Sequence, residues 1–215
     1  LINDSAALGE DHIIAFNNLN SSTRDAIAIN NPSSGISNVV IIGNIAKIDG
    51  LPIDENAGFA YSIAGSDNNV IVGNVSKGAK NEAIHVEDGQ FNTTIVANSL
   101  KECESDGVWV SVSGAGAQTG APIVISSNQM KAAAANPDKG IYIVYDGAGT
   151  LSGSPVIGNV STDFNIGISA GHGLLIIDGN SAINSAVGMD TFAGSKQYGV
   201  NYFDNCATLV RSNGN

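Results

Sequence analysis

The 215-residue chain is poor in the residues that build metal centres and polyanion sites. It has two cysteines and three histidines, with no Cys/His spacing of a zinc site among them. Nine Lys and Arg stand against twenty Asp and Glu, giving a net charge of −11, and the nine are scattered without a patch. Nucleic-acid binding needs clustered cations on phosphates, so nucleic acid is not an expected partner. No apolar run reaches the roughly 18 residues of a membrane span. Calcium-binding Gly-Gly-x-Gly-x-Asp repeats and regular Thr-x-Thr ladders are missing too, which removes a toxin-type β-roll and an ice-binding face.

What the chain does have is a phrase that recurs eight times: alternating β-branched residues, often a Gly, then an Asn. The phrase ends at Asn18, Asn44, Asn74, Asn98, Asn128, Asn159, Asn180 and Asn205, a mean spacing of about 27 residues that fits one coil of a solenoid. Three residues before each Asn, from the second repeat on, stand Ile41, Ile71, Ile95, Ile125, Val156, Ile177 and Tyr202. This column is a buried strand position. The Asn column reads as structural, because Asn tolerates a left-handed corner and stacked amides can hydrogen-bond between coils.

A second alternating strand follows each Asn, and strict alternation predicts one buried face. Aligned by first inward residue, its buried stack is Ile27, Phe59, Ile84, Val108, Ile141, Ile166 and Val187. The next residues point outward: Ala28, Ala60, His85, Trp109, Tyr142, Gly167 and Gly188. The arcs between strands are rich in Asn, Ser, Gly and Asp, which is turn chemistry. Lys and Glu are sparse because such a coil satisfies its surface in turns. A short helical turn is expected over Met130 to Asn136, where four alanines run together. The expected fold is all-β, a right-handed parallel β-helix of about eight coils. No linker interrupts residues 1–215, so one domain is expected. The chain begins at Leu1 in mid-pattern and shows no obvious caps, so it reads as a fragment of a longer chain. Cys103 and Cys206 lie four repeats apart, about 20 Å along such a stack, beyond disulfide reach.

Candidate chemistry gathers on coils three to five. His85, Trp109 and Tyr142 would form an outward aromatic row, the surface on which sugar rings stack. Glu82 and Asp106 open adjacent strands and would lie about 5 Å apart, the separation of an acid and a nucleophile in a retaining glycosidase. Like charges so close would raise one carboxyl's pKa. The same pair could instead hold Ca2+, the one cofactor these residues suggest. His85 can act as acid or base near neutrality, and Lys139 continues the carboxylate column. Glu87, Asp88 and Asp146 line the far ends of these strands as further substrate contacts.

Short parallel strands in coils of this size, without helical linkers, resemble the pectate-lyase-like superfamily, which includes phage tailspikes and secreted polysaccharide-active enzymes. The resemblance covers about Asp11 to Asn205. It implies a polysaccharide or cell-surface glycan as ligand, cleavage by a hydrolase or lyase, an extracellular or virion location, and association as a homotrimer. By the pectate-lyase pattern, Ca2+ would bridge a uronate to Glu82 and Asp106 while Lys139 removes a proton. Gly171-His172-Gly173 resembles a polygalacturonase segment, but Asn136-Pro137-Asp138 imitates that family's Asn-Thr-Asp only loosely. Its Asp-Asp pair is missing and Arg211 lacks its usual neighbours. A non-catalytic β-helical adhesin or fibre segment is the alternative, since this fold hosts enzymes and inert rods alike.

Overall fold

The computed structural model describes residues 9–21, 24–30, 36–50, 57–87, 92–112, 123–133, 137–145, 153–171, 175–192 and 196–213. These residues form three parallel sheets of eight strands each and one small three-stranded sheet, with no helix among them. The fold is the expected right-handed parallel β-helix. Eight strands at about 4.8 Å spacing make a rod of roughly 40 Å.

One coil shows the logic. The strand Val70–Val72 belongs to the first sheet, Gly73 and Asn74 make a corner, and Val75–Lys77 belongs to the second. A further corner leads to Ile84–Glu87 in the third sheet. The inward column of the first sheet is the expected one as far as Ile177: Ile41, Ile71, Ile95, Ile125, Val156 and Ile177 pair coil to coil and are fully buried. Tyr202, expected as its last member, lies instead in the second sheet beside Ser181 and is exposed, and Tyr198 stands next to Ile177. Each such side chain contributes about 1.5–3 kcal/mol by leaving water.

The asparagine column is a continuous hydrogen-bonded ladder. Each Asn Oδ1 accepts from the backbone N–H and the Nδ2 of the Asn one coil earlier, at 2.9–3.1 Å. The ladder ends are Asn17 and Asn201, one and four residues away from the expected Asn18 and Asn205. The left-handed backbone belongs to the residue before the Asn: Phe16, Gly43, Gly73, Ala97, Ser127, Gly158 and Gly179. The amide therefore serves the corner by hydrogen bonding and not by its own φ.

Register in the third sheet differs from the expected alignment by two residues at three coils. Ile27 pairs with Tyr61, not Phe59, and Ile141 pairs with Ile168, which pairs with Met189. The inward stack is thus Ile27, Tyr61, Ile84, Val108, Ile141, Ile168 and Met189. Tyr61 can be buried because its one hydroxyl proton is shared between the Asn44 and Val75 carbonyls, at 3.0 and 2.8 Å. Backbone approach at the corner sets this register. A Cβ on Gly140 would stand 2.4 Å from Ser161 Cβ and 2.5 Å from the Gly167 carbonyl oxygen, and Gly107, Gly167 and Gly188 occupy the same crowded column. Of the segment expected as a helical turn, Met130 to Ala132 lie in a strand, Gln129–Ala132, held between Ser99–Cys103 and Val160–Thr162, while residues 134–136 lie outside the described residues. Cys103 and Cys206 are both free thiols, and burial pushes the Cys103 thiol up to about 12.

Candidate functional site

The outer column of the third sheet reads Ala28, Ser62, His85, Trp109, Tyr142, Ser169, Asp190 and Arg211. Contrary to the expected single buried face, Ala28, Ser62, His85, Ser169 and Asp190 are buried too, and Trp109, Tyr142 and Arg211 are the members that reach solvent. His85, Trp109 and Tyr142 therefore do stand side by side on three successive strands. Their neighbours are corrected by the register: Ser62 replaces Ala60, while Ser169 and Asp190 replace Gly167 and Gly188. Arg211 pairs with the buried Asp190 one coil earlier, at 2.5 Å.

His85 is held on all sides. Its ring lies on Trp109, with centroids 4.4 Å apart and planes 19° apart, while Phe59 covers it at 4.4 Å and 40°. Nδ1 faces Glu82 Oε2 at 3.1 Å and Nε2 faces Glu87 Oε2 at 3.4 Å. Burial alone would expel a proton from this ring. The two carboxylates outweigh burial and lift the pKa to about 9. At neutral pH His85 is an imidazolium giving one N–H to each carboxylate, with an aromatic ring on each face. Glu87 answers by titrating below the usual carboxylate range, chiefly through its hydrogen bond with His85.

Glu82 and Asp106 do open adjacent strands in one column, with Lys139 next to them. Each carboxylate has its own partner. Asp106, 4% exposed, accepts the backbone N–H of Lys139 through Oδ1 at 2.7 Å. Asp25 does the same in the first coil, accepting from Gly58 and Phe59 at 3.0 and 3.1 Å. An Asp in this column thus closes the corner of the coil above. Burial pushes the Asp106 carboxyl up to about 7, against the pull of the Lys139 charge and N–H. The Lys139 ammonium sits 2.7 Å from Asp138 Oδ2 and 4.0 Å from the centre of the Tyr142 ring.

Trp109 and Tyr142 are both half-buried. One face of Trp109 is taken by His85, and no ring among the described residues covers the other. Asp88, Asp146 and His172 lie outside the described residues. Ca2+ fits this site poorly. Among the described residues no three carboxylate, His or Cys groups are placed to hold a metal ion, since Glu82 and Glu87 face opposite nitrogens of His85 and Asp106 accepts from the Lys139 N–H. An ion needing six to eight oxygens has no such set here. Phe59, expected in the inward stack, packs instead on His85 on the outer side of the sheet, and Tyr61 takes the inward position. Among the described residues, no helix is long and apolar enough to cross a membrane.

Neither a protein-family model nor a curated protein matches the sequence. Among solved structures, the chain is similar to the Streptococcus pneumoniae surface protein and adhesin PfbA. The TM-score is 0.57 at 13% identity, over 96% of this chain and 67% of that one. At that identity the likeness is one of fold, a parallel β-helix.

Proposed function

We propose that this chain is a glycan-binding β-helix of an extracellular surface protein, reading its ligand on the third sheet around Trp109 and Tyr142. One observation carries the proposal: two half-buried rings on successive coils, braced by charged partners, form an amphipathic surface on a rigid face. Sugar rings lay apolar C–H faces on such side chains, while Glu87, Lys139 and Asp138 offer hydrogen bonds to hydroxyls. The fold shared with an adhesin of a bacterial surface supports this reading, as does the engagement of His85, Glu82 and Asp106 with neighbouring groups. Kinship with the pectate-lyase-like superfamily and a tailspike-type homotrimer belong to the same proposal, and sedimentation velocity reads the trimer directly. A glycan array probed with intact protein and with Trp109→Ala tests the binding. Selective binding lost in the variant supports it. Selective binding that survives the substitution moves the site elsewhere, and a folded protein that binds no glycan refutes it.

A second reading, polysaccharide cleavage, is favoured by one feature. Asp106 holds its proton to about pH 7 beside Glu82, as a general acid must. In this reading Glu82 is the partner carboxylate, with Lys139 and His85 assisting. New reducing ends from an array-positive polymer, lost in Glu82→Gln/Asp106→Asn, would establish it. Binding without cleavage would leave the adhesin-type reading alone.

A further inference from the structure

The second sheet carries a feature unrelated to the aromatic site. Lysines that look scattered in the sequence fall into one row. Lys47 pairs with Lys77 and Lys77 with Lys101, in register on three successive coils. Leu100 pairs with Met130, which brings Lys131 on the fourth coil to the neighbourhood of Lys101, at a bulge that shifts the register between Leu100 and Cys103. The row lies along a groove of about 1220 Å³, and Lys80 at the next corner makes five lysines in its lining. Five of the nine basic residues of a chain with net charge −11 therefore share one groove.

The groove is open and its charges are exchangeable. The side chains of Lys47, Lys77 and Lys131 are 52%, 53% and 65% exposed. Four carboxylates stand beside the row: Asp49 on Lys47 at 2.9 Å, Glu102 on Lys77 at 3.1 Å, Asp163 near Lys131 at 3.9 Å, and Glu104 on Lys80. Lys101, in the middle of the row, has no ion pair among the described residues. The three exposed pairs, of Lys47, Lys77 and Lys131, are worth about 0–1 kcal/mol each, so an incoming anion can replace them at little cost, while the more buried Lys80 stays with Glu104. Without any counter-charge, a row of ammonium groups about 4.8 Å apart would repel itself.

We propose that this groove is a second binding site, for a linear polyanionic glycan lying along the rod axis. Its carboxylates or sulfates would meet a lysine on each of four coils, while Ser99, Gln129 and Thr162 on the same lining reach its hydroxyls. The coil rise is comparable to the length of a pyranose unit, which lets one acidic group per sugar follow the row. A slender glycan suits the site better than a nucleic-acid duplex, whose phosphates would also meet the acidic remainder of the chain.

The test is direct binding of intact protein to polygalacturonate and to dextran sulfate, with neutral dextran and a DNA oligonucleotide as comparison polymers. Binding to either acidic glycan is expected, and the stronger of the two identifies the acidic group. Binding should weaken as salt rises. It should fall at least tenfold in K77Q/K101Q/K131Q and survive in K77R/K101R/K131R, and the glutamine variant should lose the same factor in a Trp109→Ala background. The last arm separates this groove from the aromatic site, so either can fail alone. Circular dichroism confirms folding of each variant. No binding to either acidic glycan, unchanged binding in the glutamine variant, or equal affinity for dextran or for the oligonucleotide would overturn the proposal.

Discussion

His85 and Trp109, one coil apart, lie face to face with ring centroids 4.4 Å apart, and Trp109 is the chain's sole tryptophan. Its fluorescence should therefore report the charge on His85. Titration of intact protein should show a transition with a midpoint near 9, well above the ordinary histidine value near 6.5. His85→Phe should abolish the transition. A midpoint near 6.5 would mean that Glu82 and Glu87 do not hold the imidazolium.

The same pair predicts a stability change. The His85 pKa is raised on folding, so its contribution is complete below about pH 6.5 and lost as pH rises through about 9. The shift corresponds to about 3 kcal/mol. Thermal unfolding at pH 6 and pH 10 should show His85→Phe closing most of the parent's difference across that interval.

Asp106 behaves in the opposite chemical sense with the same linkage sign. Its folded pKa is also raised, from 3.8 to about 7, so stability is complete below about pH 4 and lost as pH rises through 7. Asp106→Asn keeps an oxygen for the Lys139 N–H and removes the buried charge. The variant should melt close to the parent at pH 4 and above it at pH 8, by up to about 4 kcal/mol. A lower melting temperature at pH 8 would show that the carboxylate is needed ionised.

Within the asparagine ladder, position should decide the cost. Asn128→Ala leaves the Asn98 N–H, the Asn98 amide and the Ile95 carbonyl without their partner in a dry interior. That should cost about 3 kcal/mol or more. Asn201→Ala, at the half-exposed end, should cost clearly less because water replaces the lost bonds. Equal melting temperatures for the two variants would argue against a cooperative ladder.

Much of this architecture was readable from the residues because burial leaves a period. The Ile41 to Ile177 column and the Asn repeat follow from a dry interior, and the parity of the third sheet from large apolar side chains on its inner face. Register was readable only in part. Phe59 and Tyr61 share parity, as do Ile166 and Ile168, so alternation cannot tell them apart. The stronger guide was the small-residue column Ala26, Ala60, Ala83, Gly107, Gly140, Gly167 and Gly188, which close backbone approach enforces. The second sheet escaped notice because several inward positions are small or polar, such as Ala46, Ser76, Ser161 and Ala182. Its lysine row escaped with it, since Lys47, Lys77, Lys101 and Lys131 become neighbours only after coiling. The engagement of His85 by Phe59 depends on rings from different coils and has no signature within one repeat.

The central claim, that the Trp109–Tyr142 face binds glycan, is tested most directly by calorimetric titration of the best array-positive oligosaccharide. Parent, Trp109→Ala and Tyr142→Ala should be compared after each is shown to be folded. The account predicts that each substitution weakens binding about tenfold, roughly 1.4 kcal/mol. Parent affinity retained in both variants would contradict it.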